Sequence, residues 1–77
     1  MGNPYDPGEA KAGEAVTHAE LKVIELIARG HSSQEVADRL AVSKRTVDFH
    51  LANLYRKIQC HNRVQAINIM KARGELV

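Results

Sequence analysis

Cysteine occurs once in the 77 residues, at Cys60. A single thiol excludes an internal disulfide framework and a cysteine-rich zinc site. His18, His31, His50 and His61 have no metal-ligand spacing, and Cys60 and His61 are adjacent and point apart, so neither metal nor cofactor is expected. No apolar run approaches the ~20 residues that a membrane-spanning helix needs. The opening Met1-Gly2-Asn3-Pro4-Tyr5-Asp6 lacks the basic and apolar regions of a secretory signal. The expectation is a cytoplasmic protein with no membrane partner. There is no glycine-rich phosphate loop and no Ser/Cys–His–acid arrangement, so enzyme activity is not expected. No stretch alternates with period two, which leaves no strand to build a sheet. The chain is also short, and a chain of this size buries only ~60% of its unfolded surface. That excludes a dinucleotide-binding domain or an eight-stranded barrel.

What is present is a folded, mildly basic chain. Hydrophobic residues make up 44%, and the net charge is +2. The charge is unevenly spread. In residues 1–16, Lys11 is outweighed by Asp6, Glu9 and Glu14. In residues 43–63, Lys44, Arg45, Arg56, Lys57 and Arg63 face Asp48 alone. The remaining chain after residue 16 is balanced, so the whole positive excess of residues 17–77 lies in this one segment. Such a segment suits a polyanion-facing surface, or else a solvated helix face.

Residues 1–16 read as a flexible arm or linker. Both prolines and Gly2, Gly8 and Gly13 lie there, with Val16 the only strong apolar residue, too little to offset the entropy of ordering. From Thr17 the pattern is helical, which predicts an all-α domain over 17–77. Thr17 and Glu20 form a capping box, followed by Leu21, Ile24, Ile27 and Ala28 on one face and Gly30 as a stop. Ser32 and Glu35 form a second box ahead of Val36, Ala37 and Leu40, and Ser43 caps a third helix. Asn62 caps a fourth, with Val64, Ala66, Ile67, Ile69 and Met70 apolar and Gly74 as its stop. Helices are predicted near 18–29, 33–41, 44–58 and 63–73, the middle pair in helix-turn-helix spacing.

In the third helix, Val47, Leu51, Leu54, Tyr55 and Ile58 fall on one stripe less than about 110° wide. The opposite face carries Arg45, Phe49, Ala52, Asn53 and Arg56. A phenylalanine there is costly unless something covers it. The apolar positions of the fourth helix spread wider than one core face needs, so some can meet a second subunit.

The residues from Val16 to about Ala66 resemble the LuxR/FixJ-type (GerE-like) helix-turn-helix DNA-binding domain. The matching elements are Thr17 and Glu20, Val23-Ile24, Leu26-Ile27-Ala28, Gly30, Ser32, Glu35-Val36-Ala37, Leu40 and Val42-Ser43. The strongest block is Thr46-Val47, His50, Asn53-Leu54-Tyr55 and Lys57-Ile58, followed by Arg63 and Ala66. Ala19 and Lys22 depart from the family pattern on the first helix. Asp48 stands where many members carry Lys, which implies an altered base preference.

The resemblance implies control of transcription in bacteria and sequence-specific binding of double-stranded DNA, with the third helix in the major groove. It also implies a homodimer through the fourth helix, chiefly Ile67 and Met70, weak without DNA. Lys44, Arg45, Arg56 and Lys57 would neutralise phosphates, with Lys44 or Arg45 able to reach guanine edges. Ser32, Ser33 and Gln34 open the second helix and Ser43 and Thr46 the third, where free N–H groups suit phosphates. Asp48 can accept from cytosine N4 or orient a neighbouring Lys or Arg. Phe49 can lie on thymine methyls or pack in a dimer. Ala52 shares the groove face, and Asn53 would bond backbone or phosphate. His50 reads as a half-buried edge residue and Cys60 as a small core filler. An alternative keeps the fold but uses Phe49 and Asp48 to meet a protein, as an adaptor on RNA polymerase. A more remote one is a promoter-recognition fragment like that of a sigma factor.

Overall fold

The computed structural model describes residues 12–76, which form four helices and no strand: α1 (His18–Ala28), α2 (Ser33–Leu40), α3 (Lys44–Ile58) and α4 (Arg63–Ala72). Each helix starts where a polar side chain accepts the backbone N–H three residues on. Thr17, Ser32, Ser43 and Asn62 do this for Glu20, Glu35, Thr46 and Gln65. The first two are reciprocal, since Glu20 Oε1 accepts from the Thr17 amide at 2.9 Å and Glu35 Oε1 from the Ser32 amide at 2.8 Å. Caps of this kind contribute ~1 kcal/mol each, enough to fix where a short helix begins.

The four ends also share one device, an N–H that bonds five residues back. His31 reaches Leu26, Val42 reaches Ala37, Cys60 reaches Tyr55 and Glu75 reaches Met70, at 3.0–3.2 Å. This bond needs a left-handed residue just before it. Gly30 and Gly74 supply it at no steric cost, whereas Ala41 and Gln59 take it at φ 57° and 56°. Ala41 therefore belongs to the turn, and α2 ends one residue earlier than its pattern predicts.

Packing centres on α3, which touches the other three helices; α1 also meets α2 and α4, while α2 and α4 do not meet. The core takes Val47, Leu51, Leu54 and Ile58 from α3, as the stripe predicts, with Tyr55 half-buried against it. From α1 it takes Val23, Ile24, Leu26 and Ile27, so the buried face is wider than expected. Three helices surround α1, and Ala28 is left exposed on its last turn while Leu21 is only half-buried. Cys60 is buried, as is Met70, which is fully enclosed.

Residues of the arm expected over 1–16 touch the helical part. The Gly13 amide donates to the Lys57 carbonyl at 3.0 Å, and Val16 packs on the core. Of the flexible arm expected over residues 1–16, residues 1–11 lie outside the described residues. No helix among the described residues is long and apolar enough to cross a membrane.

Candidate nucleic-acid interface

The three-residue turn 41–43 brings α2 and α3 into contact and leaves one face of α3 open. Along that face lie Lys44, Arg45, Asp48 and Arg56, all exposed, with Phe49, Ala52 and Asn53 half-buried. The first two turns are ordered by side-chain couples one turn apart. Lys44 Nζ donates to Asp48 Oδ2 at 3.1 Å. The Arg45 guanidinium carbon stands 5.2 Å from the centre of the Phe49 ring, within the range of a cation–π contact. Asp48 thus engages its neighbouring lysine in the free protein, one of the two roles expected for it. Phe49 is covered by Arg45 instead of lying bare.

Ser43 and Thr46 are joined at the start of α3. Ser43 Oγ accepts the Thr46 amide at 3.1 Å and lies 3.0 Å from Thr46 Oγ1. Ser32 and Gln34 are exposed at the start of α2, where Gln34 Nε2 donates to Asp38 Oδ1 at 3.0 Å. Bonding to the Ser32 amide, and secondarily to its hydroxyl, holds the Glu35 carboxyl below the usual carboxylate range. On the open face of α3, the Asn53 Oδ1 atom is buried without a hydrogen-bond partner.

Three expected site residues are placed elsewhere. Ser33 is buried, so its hydroxyl does not share the open face with Ser32 and Gln34. Lys57 is only 8% exposed, and its ammonium donates to Glu20 Oε1 at 2.7 Å, Glu20 Oε2 at 2.9 Å and the Ala15 carbonyl at 3.0 Å. Its three donors are spent inside the fold, so it is not a phosphate ligand on this surface. Met70 is 0% exposed and belongs to the core, which removes it from any dimer face. The exposed large apolar residue of α4 is Val64, at 65%, with half-buried Ile67 one turn on.

Sequence reasoning missed Glu20 as a counter-ion because its capping role already explained it. A signal existed in Lys57, which lies only ~60° around the helix from Leu54, nearer the core stripe than the open face. Cys60 has the character expected of a core filler, since burial pushes its thiol up and keeps it protonated.

The family model for bacterial regulatory proteins of the luxR family matches residues 14–70. The transcriptional regulatory protein ComA of Bacillus subtilis is 30% identical over 70 residues, covering 91% of this chain and 33% of that protein. The glycerol metabolism activator of Pseudomonas putida is 39% identical over 54 residues, covering 70% of this chain and 24% of that one. The chain therefore spans about a quarter to a third of the length of these curated relatives. The solved structure of the transcription factor GerE superposes with a TM-score of 0.78 at 29% identity, covering 83% of this chain and 97% of that one. The chain belongs to the luxR family of bacterial regulatory proteins, helix-turn-helix regulators of transcription that bind DNA.

Proposed function

We propose that this domain binds double-stranded DNA sequence-specifically as a dimer, with α3 in the major groove. The observation that carries the reading is the open face of α3. The core leaves Lys44, Arg45, Asp48, Phe49, Ala52, Asn53 and Arg56 along one side of a 15-residue helix. The interactions described for Lys44, Arg45, Asp48 and Phe49 stay within that helix and tie it to no other element. A basic helix face of this length suits the ~12 Å width of the major groove. Lys44 and Arg56 then meet phosphates, while Arg45, Asp48 and Phe49 lie where base edges pass. Ser32, Gln34, Ser43 and Thr46 border the groove at two helix starts, where backbone N–H groups and the positive dipole end favour phosphate.

The dimer is assigned to α4 through Val64 and Ile67. A patch this small buries little area, so self-association is weak until two half-sites hold the copies side by side. Selection of bound sequences from a random duplex pool tests both parts. Two-fold related half-sites are expected. Val64→Glu places a charge on the α4 face without touching the core, so it should leave melting unchanged. It should reduce affinity for the two-half-site duplex and leave a single half-site unaffected. An unrelated single motif, or full affinity in Val64→Glu, counts against the α4 dimer.

A further inference from the structure

Resting on the DNA-binding reading above, we infer that Arg45 reads a guanine and that Phe49 is its positioning residue, making this i,i+4 couple the specificity-determining element of α3.

Two cations open the exposed face of α3, and they are held differently. Lys44 is tied to a carboxylate at 3.1 Å in a half-exposed pair, and its ammonium is a compact, rotatable charge suited to phosphate. Arg45 keeps its full charge. Its partner is an aromatic ring, which offers attraction through the ring face but no hydrogen-bond acceptor. The stacked guanidinium therefore loses rotational freedom while its N–H fork stays unspent. An unspent planar fork held on a helix facing the groove matches the paired O6 and N7 acceptors of guanine.

The ring is suited to this role because it does little else. Phe49 is half-buried, yet it is not among the partly buried apolar residues packed on the core. One of its faces is occupied by the guanidinium. Its effect on DNA is thus exerted through Arg45. A ring that holds a cation needs its π face, so an aromatic replacement should work and an aliphatic one of similar bulk should not.

The test compares wild type, Arg45→Ala, Phe49→Leu and Phe49→Tyr in selections from a random duplex pool, with thermal melting followed alongside. Wild type should select a fixed guanine in each half-site. Arg45→Ala, an exposed position, should lose that guanine by about 5- to 150-fold and keep the other positions. Phe49→Leu should weaken the same guanine by roughly two- to fivefold, and Phe49→Tyr should restore it. In the selected duplex, a guanine analogue lacking N7 should weaken wild-type binding while leaving Arg45→Ala unaffected. Replacing thymines by uracil should change little. Retention of the guanine by Arg45→Ala overturns the assignment, whether or not the Phe49 variants fold. So does a Phe49→Tyr variant that loses as much as Phe49→Leu. A uracil penalty that disappears in Phe49→Leu would assign the ring to a thymine methyl and overturn its positioning role. Wild type that enriches no sequence overturns the DNA-binding reading and this inference with it. Enrichment with an unchanged guanine in Phe49→Leu overturns only the inference.

Discussion

Lys44 and Lys57 sit at opposite ends of α3, each in an ion pair, and burial separates what they do. The Lys44–Asp48 pair is about half exposed on both sides, where an i,i+4 pair contributes roughly 0.3–0.5 kcal/mol. The Lys57–Glu20 pair is 6% and 3% exposed, and the same carboxylate also accepts the Thr17 amide. Removing one partner of such a pair leaves a buried uncompensated charge, a loss of about 3–5 kcal/mol. Urea denaturation should therefore show Lys57→Met strongly destabilised and Lys44→Met close to wild type. Equal effects would mean that Lys57 is not the internal tie it is taken to be. A count of charges along the sequence cannot separate these lysines, because helix position gives the angle around α3 but not what lies opposite. Glu20 is 37 residues from Lys57, and only the packing of α1 on α3 brings them together. The open-face residues were legible for the complementary reason. Arg45, Phe49 and Arg56 point away from the core stripe, so no distant partner was needed to place them.

Helix starts were legible because a cap is a local chemical event. Thr17, Ser32, Ser43 and Asn62 each accept an N–H from within their own first turn, so four residues of sequence contain the whole interaction. Acid should expose one of these caps. The Glu35 carboxyl is held below its ordinary value of 4.5, so its contribution is present above that pH and lost as pH falls through the lowered value. Glu35→Gln should flatten the acid side of the melting-temperature profile below about pH 4.5, measured by circular dichroism; an unchanged profile would show that the box is not the titrating element. Helix ends were less legible, since Ala41 and Gln59 give no sign of the left-handed conformation that glycine announces. That conformation costs an ordinary residue about 1–2 kcal/mol, partly recovered against glycine's greater chain entropy. Gln59→Gly should stabilise the domain by about 1 kcal/mol and raise Tm by roughly 4–8 °C. Gln59→Ala should give no such gain. Faces contacted by several helices were least legible. The widened buried face of α1 and the enclosure of Met70 both follow from neighbours distant in sequence.

Across the whole molecule, the charge excess noted in residues 43–63 divides on folding. Lys57 is drawn inside against Glu20, and Lys44, Arg45 and Arg56 remain on the outside of α3 with Asp48. The electrostatic case for DNA therefore rests on fewer cations than the sequence displays, concentrated on one side. If Lys44 and Arg56 of two copies each displace a counterion, binding should weaken with salt at a log–log slope of roughly −3 to −4. The decisive measurement is this salt titration on a selected duplex, made with wild type and Arg56→Ala. The expected result is a steep negative slope that becomes shallower by about one unit per lost contact in Arg56→Ala, with affinity reduced alike on selected and random DNA. A slope near zero, or a slope that Arg56→Ala leaves unchanged, would contradict the placement of the α3 face against the DNA backbone.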